Sequence, residues 1–249
     1  MSTDAGRTRL TVEEIARRFS GEMIPVTGKF SYFSTVPIAE DDLKQYLNDP
    51  IAAISPGIIA ALPKVGLILA PYLEKGNGKG GDAVTFERPA ETRYLAVARR
   101  DVEDMTILAL GIKGIEVADY HYQLYSSLAS LLAEHWPQEA QDRFFRTIRE
   151  ELSADVHGEI DERSWHLKQA LQRRQTNVRK ETKLFREYAR QAFEDTLTLY
   201  LHGTCCDIDV ETGPRQMPSR YIRRRLELLI SLFPPPEGYA VLPEQLKSR

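Results

Sequence analysis

The chain has 249 residues, 33 basic and 36 acidic side chains, a net charge of −3, 42% apolar residues and two cysteines. That balance excludes an acidic disordered chain and a uniformly basic nucleic-acid coat, and the length suffices to bury a core without disulfides or structural metals. No apolar run reaches the roughly 18 residues of a membrane span, and residues 1–10 are polar, unlike a secretory leader.

Thr11-Val12-Glu13-Glu14 opens the ordered pattern. Thr at the N-cap and Glu three residues on satisfy each other's free N–H groups, a capping box. Val12, Ile15, Ala16 and Phe19 follow at helical spacing, so a helix is predicted over residues 12–20 and stopped by Gly21. Residues 26–36 hold β-formers and read as a strand, and residues 41–47 as a short helix ended by Asn48-Asp49-Pro50. Four apolar or alternating runs follow, at residues 65–70, 84–86, 94–98 and 106–110. Turn residues join them, which predicts an antiparallel meander. Its loop, Gly76-Asn77-Gly78-Lys79-Gly80-Gly81-Asp82, lacks the Lys-Ser/Thr and following helix of a phosphate loop.

After Gly114 the period changes from two to three and four. Ile115, Ala118, Tyr122, Tyr125, Leu128 and Leu132 predict a helix to Trp136, and Phe144, Phe145, Ile148 and Leu152 a second one beginning near Pro137. Neither proline nor glycine occurs over residues 161–201, and Leu171, Val178, Phe185, Ala192 and Leu199 recur every seven residues. Only Val178 is apolar within residues 172–183, so this is either one long helix with a solvated middle or a helical hairpin. A last helix is predicted over residues 218–232, before Pro234-Pro235-Pro236. The fold class is therefore α+β. A β-rich mixed part with short helices spans residues 1–112 and a helical part spans residues 113–249, as one compact unit or two tightly joined subdomains.

Three kinds of residue are candidates for function. The first is the run His202-Gly203-Thr204-Cys205-Cys206-Asp207-Ile208-Asp209. Imidazole, thiolate and carboxylate are zinc ligands, although adjacent cysteines lack the two-residue spacer of a zinc knuckle. His202 also suits a helix C-terminus through the dipole, with Gly203 as the cap. The second is His157-Gly158-Glu159, which resembles the His-x-Glu of zinc nucleobase deaminases; their Pro-Cys-x-x-Cys partner is absent. Asp209-x-Glu211 similarly resembles the first motif of DEDD-type exonucleases. His121, on a helix after a sheet, resembles the placement of the zincin metallopeptidase helix without its Glu and second His. The third kind is basic. Residues 159–225 carry 14 basic and 10 acidic side chains. They include Arg173, Arg174, Arg179 and Lys180, and a second group of Arg215, Arg220, Arg223, Arg224 and Arg225. Arginine favours bidentate contact with carboxylate or phosphate.

No catalytic set is complete in the sequence, which weighs against an enzyme. The expectation is a soluble, cytoplasmic binding or regulatory protein that uses protein–protein contacts of its helical part, self-association included. One alternative is a metal-dependent hydrolase built on His202, Cys205, Asp207 and Asp209, with Cys206, His157 and Glu159 as further ligands. Another is nucleic-acid binding through residues 220–225. No cofactor is expected outside the metal alternative, which calls for zinc or another divalent ion, and no membrane contact is expected.

Overall fold

A computed structural model of the chain describes residues 10–76, 81–173, 180–205 and 216–242. It is α+β: a mixed sheet with short helices, then a helical part. The chain divides into two units. The first comprises Met1–Asn48 and Pro63–Leu124, and the second Asp49–Leu62 and Tyr125–Arg249. The boundary thus lies beyond residue 112, and a short N-terminal segment joins the helices.

In the first unit, α1 (Val12–Phe19) begins with the expected capping box. Glu14 N donates to Thr11 Oγ1 at 3.2 Å, and Thr11 N donates to Glu14 Oε2 at 2.8 Å. The buried stripe Val12, Ile15 and Ala16 shares a core with Ile68, Ala98, Val102 and Ile107. Thr11→Ala removes the hydroxyl that accepts from Glu14 N, while the backbone N–H that donates to Glu14 and the core stay in place. It is expected to cost about 1 kcal/mol, read as a lower urea midpoint with an unchanged slope.

The main sheet has the order β1 (Ile24–Pro25), β2 (Phe30–Ser34), β3 (Lys64–Ala70), β8 (Met105–Gly111), β7 (Val97–Val102). Strands β2, β3 and β8 run parallel, with antiparallel β1 and β7 at the edges. A second sheet is β5 (Ala83–Thr85), β4 (Tyr72–Glu74), β6 (Tyr94–Leu95). The strands read as one meander therefore divide between two sheets. β3 and β8 pair directly but in parallel, Val65 opposite Thr106 and Ala70 opposite Gly111. The physical reason lies in β3 itself: every residue from Val65 to Ala70 is buried, as in a central parallel strand, and an apolar run of this kind carries no information about strand direction. Gly66 permits the close fit at its centre, since a Cβ there would lie 2.6 Å from Met105 Sδ and 2.7 Å from Ile107 Cδ1. Between β2 and β3 the chain forms α2 (Glu40–Leu43), a π-helical turn (Lys44–Asn48), α3 (Asp49–Ala52) and α4 (Pro56–Ala61).

The remaining helices are α5 (Val117–Glu134), α6 (Gln138–Ser153), α7 (Glu162–Gln172), α8 (Lys183–Cys205) and α9 (Ser219–Leu232). In the second unit the Trp136 ring lies tilted against Phe193 at 4.2 Å and meets Phe144 and Phe145 at 6.2 and 5.7 Å. Of the two readings of residues 161–201, the hairpin is the one observed: α7 packs against α8. Leu171, Phe185 and Ala192 of the seven-residue series are all buried, on two arms of one unit; Val178 lies outside the described residues. The α8 helix also continues through Gly203, which is therefore no cap. Buried Thr204 anchors that last turn by donating its hydroxyl to Tyr200 O at 2.8 Å.

No helix of the described residues is long and apolar enough to cross a membrane.

Candidate functional site

Five ionisable side chains meet in the interior of the helical unit. Glu151 comes from α6, Glu159 from the α6–α7 connection, Lys168 from α7, Tyr188 from α8 and Arg225 from α9. The connection turns sharply at Asp155 and Gly158, with φ of 51° and 76°. Glu159 then forms a one-residue parallel bridge with Gln216, its carbonyl accepting from Met217 N at 3.2 Å. The turn and bridge deliver the Glu159 carboxylate inward.

Arg225 is the hub, with its side chain fully buried. Its Nε donates to Glu151 Oε1 and Oε2 at 3.1 and 3.0 Å, and its Nη2 to Glu151 Oε2 at 2.6 Å. Nη1 donates to Glu159 Oε2 at 2.9 Å and Nη2 to Glu159 Oε1 at 3.0 Å. Lys168 Nζ donates to Glu159 Oε1 at 3.2 Å and Gly158 O at 2.8 Å, and the Tyr188 hydroxyl donates to Glu159 Oε1. Two carboxylates thus face two cations, so the desolvated charges compensate one another. Burial by itself would raise the Glu159 carboxyl, but Arg225, Lys168 and Tyr188 overcome it and hold the group below its ordinary value. Burial lowers Lys168 despite the neighbouring Glu159 charge. Burial and Glu159 together drive Tyr188 well above the ordinary phenol range.

Chemically, this cluster is closed. Glu159 Oε1 already accepts from three donors, Arg225, Lys168 and Tyr188, and a cation could bind it only by displacing one of them. It ties α6, α7, α8 and α9 together at one point.

Beside it, α8 carries Asp195. Its Oδ1 accepts from Gln191 Nε2 at 2.8 Å, while its buried Oδ2 has no hydrogen-bond partner among the described residues. Burial pushes this carboxyl up to about 7, against the opposing effects of Ser164 and Gln191 and with additional repulsion from Asp161 and Glu159.

The sequence-predicted candidates separate in space and environment. His157 is exposed and Glu159 is buried in the cluster. The His202 ring lies 6.3 Å from that of Tyr125, whose hydroxyl donates to Pro50 O. Cys205 is half-buried. Cys206, Asp207, Asp209 and Glu211 lie outside the described residues, as do Arg174, Arg179 and Arg215. Among the described residues, no three His, Cys, Asp or Glu side chains are grouped to hold a metal. In the first unit, buried His121 Nε2 lies 2.8 Å from Gln45 O.

Arg173 and Lys180 are exposed. The arginines of α9 divide between two environments. Arg220, Arg223 and Arg224 are exposed, whereas Arg225 belongs to the interior. Arg220 lies 4.8 Å over the Tyr221 ring, Arg223 pairs with Glu227 at 3.0 Å, and Arg224 pairs with Glu150 of α6. Glu150 also borders a surface cleft of about 500 Å³ lined by Arg146, Arg149 and Glu181.

Glu151, Lys168, Tyr188 and Asp195 were not among the candidates from sequence. The signal for two partners was nevertheless present. Glu151 falls seven residues after Phe144 and three after Ile148, on the buried face of α6. Arg225 falls three after Ile222 and four before Leu229, on that of α9. A charged residue in register with an apolar stripe is a buried ion in search of a counter-ion.

No protein-family model, curated protein or solved structure matches the chain.

Proposed function

We propose that the chain is a binding protein that acts through protein–protein contacts of its helical part. The observation that carries this reading is the construction of α9. Its inner face is pinned by the Arg225 cluster, while Arg220, Arg223 and Arg224 project outward. Among the described residues no carboxylate lies within ion-pair distance of Arg220, which is braced instead against Tyr221. Arginine and tyrosine on a preorganised surface are efficient contact residues, because little side-chain freedom remains to be lost on binding. Arg223 and Arg224 are partly neutralised by Glu227 and Glu150. That mixed pattern fits an acidic protein surface better than a polyphosphate backbone, which rewards uncompensated charge.

The test is affinity capture from the native lysate, using wild type and Arg220→Glu/Arg223→Glu with matched thermal unfolding. Protein captured by wild type and lost at least tenfold in the variant is the expected result. Equal capture by both defeats the proposal, as does a strictly monomeric chain that captures nothing. Capture abolished by nuclease, with steep salt dependence, transfers the surface to nucleic acid instead.

A further inference from the structure

α6 and α9 lie antiparallel in the helical unit. Arg143 Nη2 of α6 donates to Ser231 Oγ near the end of α9 at 2.8 Å, and Arg224 near the start of α9 pairs with Glu150 near the end of α6. Glu150 is also a wall of the cleft of about 500 Å³ that α6 forms with Glu181, just before α8. The cleft therefore continues the exposed face of α9. Its charges are unevenly paired. Asp142 Oδ1 accepts from Gln138 Nε2 at 2.8 Å, Glu150 pairs with Arg224, and Glu181 pairs with Arg149 at 3.1 Å and Arg186 at 3.8 Å. Arg149 is held in addition over the Phe185 ring at 4.7 Å. Arg146 stands four residues from both Asp142 and Glu150, yet among the described residues no carboxylate lies within ion-pair distance of it. It is exposed, and the buried Phe145 shares the cleft lining with it.

We propose that this cleft seats one aspartate or glutamate side chain of the protein partner, with its carboxylate on the Arg146 guanidinium and its methylene stem against Phe145. That the partner is a protein rests on the function proposed for α9; the seat deepens it by making the partner's contact an acidic segment.

Charge and surroundings favour a carboxylate over other anions. An arginine fork meets a carboxylate with two parallel hydrogen bonds, and such a pair strengthens beside an apolar wall that displaces water. Arg149 and Arg224 would first have to leave Glu181 and Glu150, whereas Arg146 gives up only solvent. The acids of the lining limit the charge that can enter. A single negative charge meets one uncommitted cation, but a doubly charged phosphate brings excess charge against Asp142, Glu150 and Glu181. A nucleic-acid backbone, with its row of phosphates, is disfavoured for the same reason. The seat is also fixed in place, because the inner face of α6 is tied through Glu151 to Arg225. Little backbone freedom remains to be lost on binding.

The test is an NMR titration of the full chain with a hexaglutamate peptide blocked at both ends, reading the Arg146 Nε–Hε resonance and the Phe145 ring. A saturable shift at both is expected, with binding about tenfold weaker in Arg146→Gln, the value of one charge-assisted hydrogen-bonded pair. Arg18→Gln, at an exposed arginine of α1, should bind as wild type, and inorganic phosphate should shift Arg146 less than the peptide does. Matched thermal unfolding checks that each variant is folded. The seat is overturned by a peptide that leaves Arg146 unmoved, by equal binding to wild type and Arg146→Gln, or by a larger response to phosphate. Arg220→Glu/Arg223→Glu separates the seat from the α9 surface. Lysate capture lost in that variant, with Arg146 unmoved by the peptide in the wild-type chain, overturns the seat and leaves the α9 surface standing. Capture unchanged in that variant, with the peptide still bound through Arg146, overturns the α9 surface and supports the seat.

Discussion

Arg225→Ala is expected to destabilise the helical unit by about 3–5 kcal/mol. Removing the guanidinium leaves Glu151 without its bidentate partner and Glu159 with only Lys168 and Tyr188, both carboxylates remaining fully buried. The cost is the desolvation of uncompensated charge, so it exceeds the net value of the original contacts. Arg225→Lys should recover little, because an ammonium cannot serve two carboxylates through a planar fork. Glu151→Ala/Arg225→Ala should cost less than the sum of the single substitutions, since each single change leaves an orphan that the double change removes. Urea unfolding followed by far-UV circular dichroism at pH 7 measures all three.

The cluster also has a direction in pH. The Glu159 carboxyl is lowered in the folded chain. Its stabilising contribution is therefore present above the ordinary carboxylate pKa and is lost as pH falls through the lowered folded value. In Arg225→Ala the Glu159 carboxylate loses the cation that did most to depress it. The deficit relative to wild type should thus shrink as the pH is taken below about 4. A deficit that stays constant from pH 7 to pH 3 would show that lost packing, such as that of the guanidinium over Phe144 at 5.9 Å, dominates instead.

Asp195→Asn is expected to act with the opposite sign. The folded carboxyl is raised from 3.8 to about 7. Below 3.8 the folded and unfolded chains both hold the proton, and the group carries no penalty. Between these values only the folded chain holds it, so stability declines as pH rises; above about 7 the loss is complete and constant. Asparagine keeps the shape without the charge. It should therefore stabilise the chain by about 2–4 kcal/mol at pH 8, as expected for a shift of about three pKa units, and progressively less toward pH 4. Urea midpoints at pH 8, 6 and 4 follow that trend. No gain at pH 8 would mean that ionised Asp195 reaches water in the folded chain.

Much of the secondary structure was legible because it depends on local spacing. The helices at Val12–Phe19, Gln138–Ser153 and Ser219–Leu232 fall where apolar stripes and stop residues put them. A capping box connects residues three apart, and any fold that contains the segment preserves that spacing. Strand existence was readable in the same way at Val65 and Leu110, yet strand pairing was not. Whether two apolar runs lie parallel or antiparallel depends on the intervening chain, and here β4, β5 and β6 make a second sheet that returns β8 beside β3 in the same direction. The two short helices α3 and α4 were missed because neither completes two turns, so no apolar stripe can repeat along them.

The site shows the same division. Sequence spacing placed Glu159 among metal ligands and Arg225 among surface arginines, because His157 and Arg224 stand next to them. The two meet across 66 residues of chain. Apolar spacing and charge by themselves determined an α+β chain with a basic segment within an acidic total, since those properties are read along the chain and need no long-range contacts. Which charges face water, and which compensate one another in the dark of the helical core, was decided only when the α7–α8 hairpin closed and α9 laid its apolar stripe inward. Burial and counter-ion pairing are properties of three-dimensional neighbours, and Arg225, three residues after Ile222, acquired its partners Glu151 and Glu159 by that closure alone.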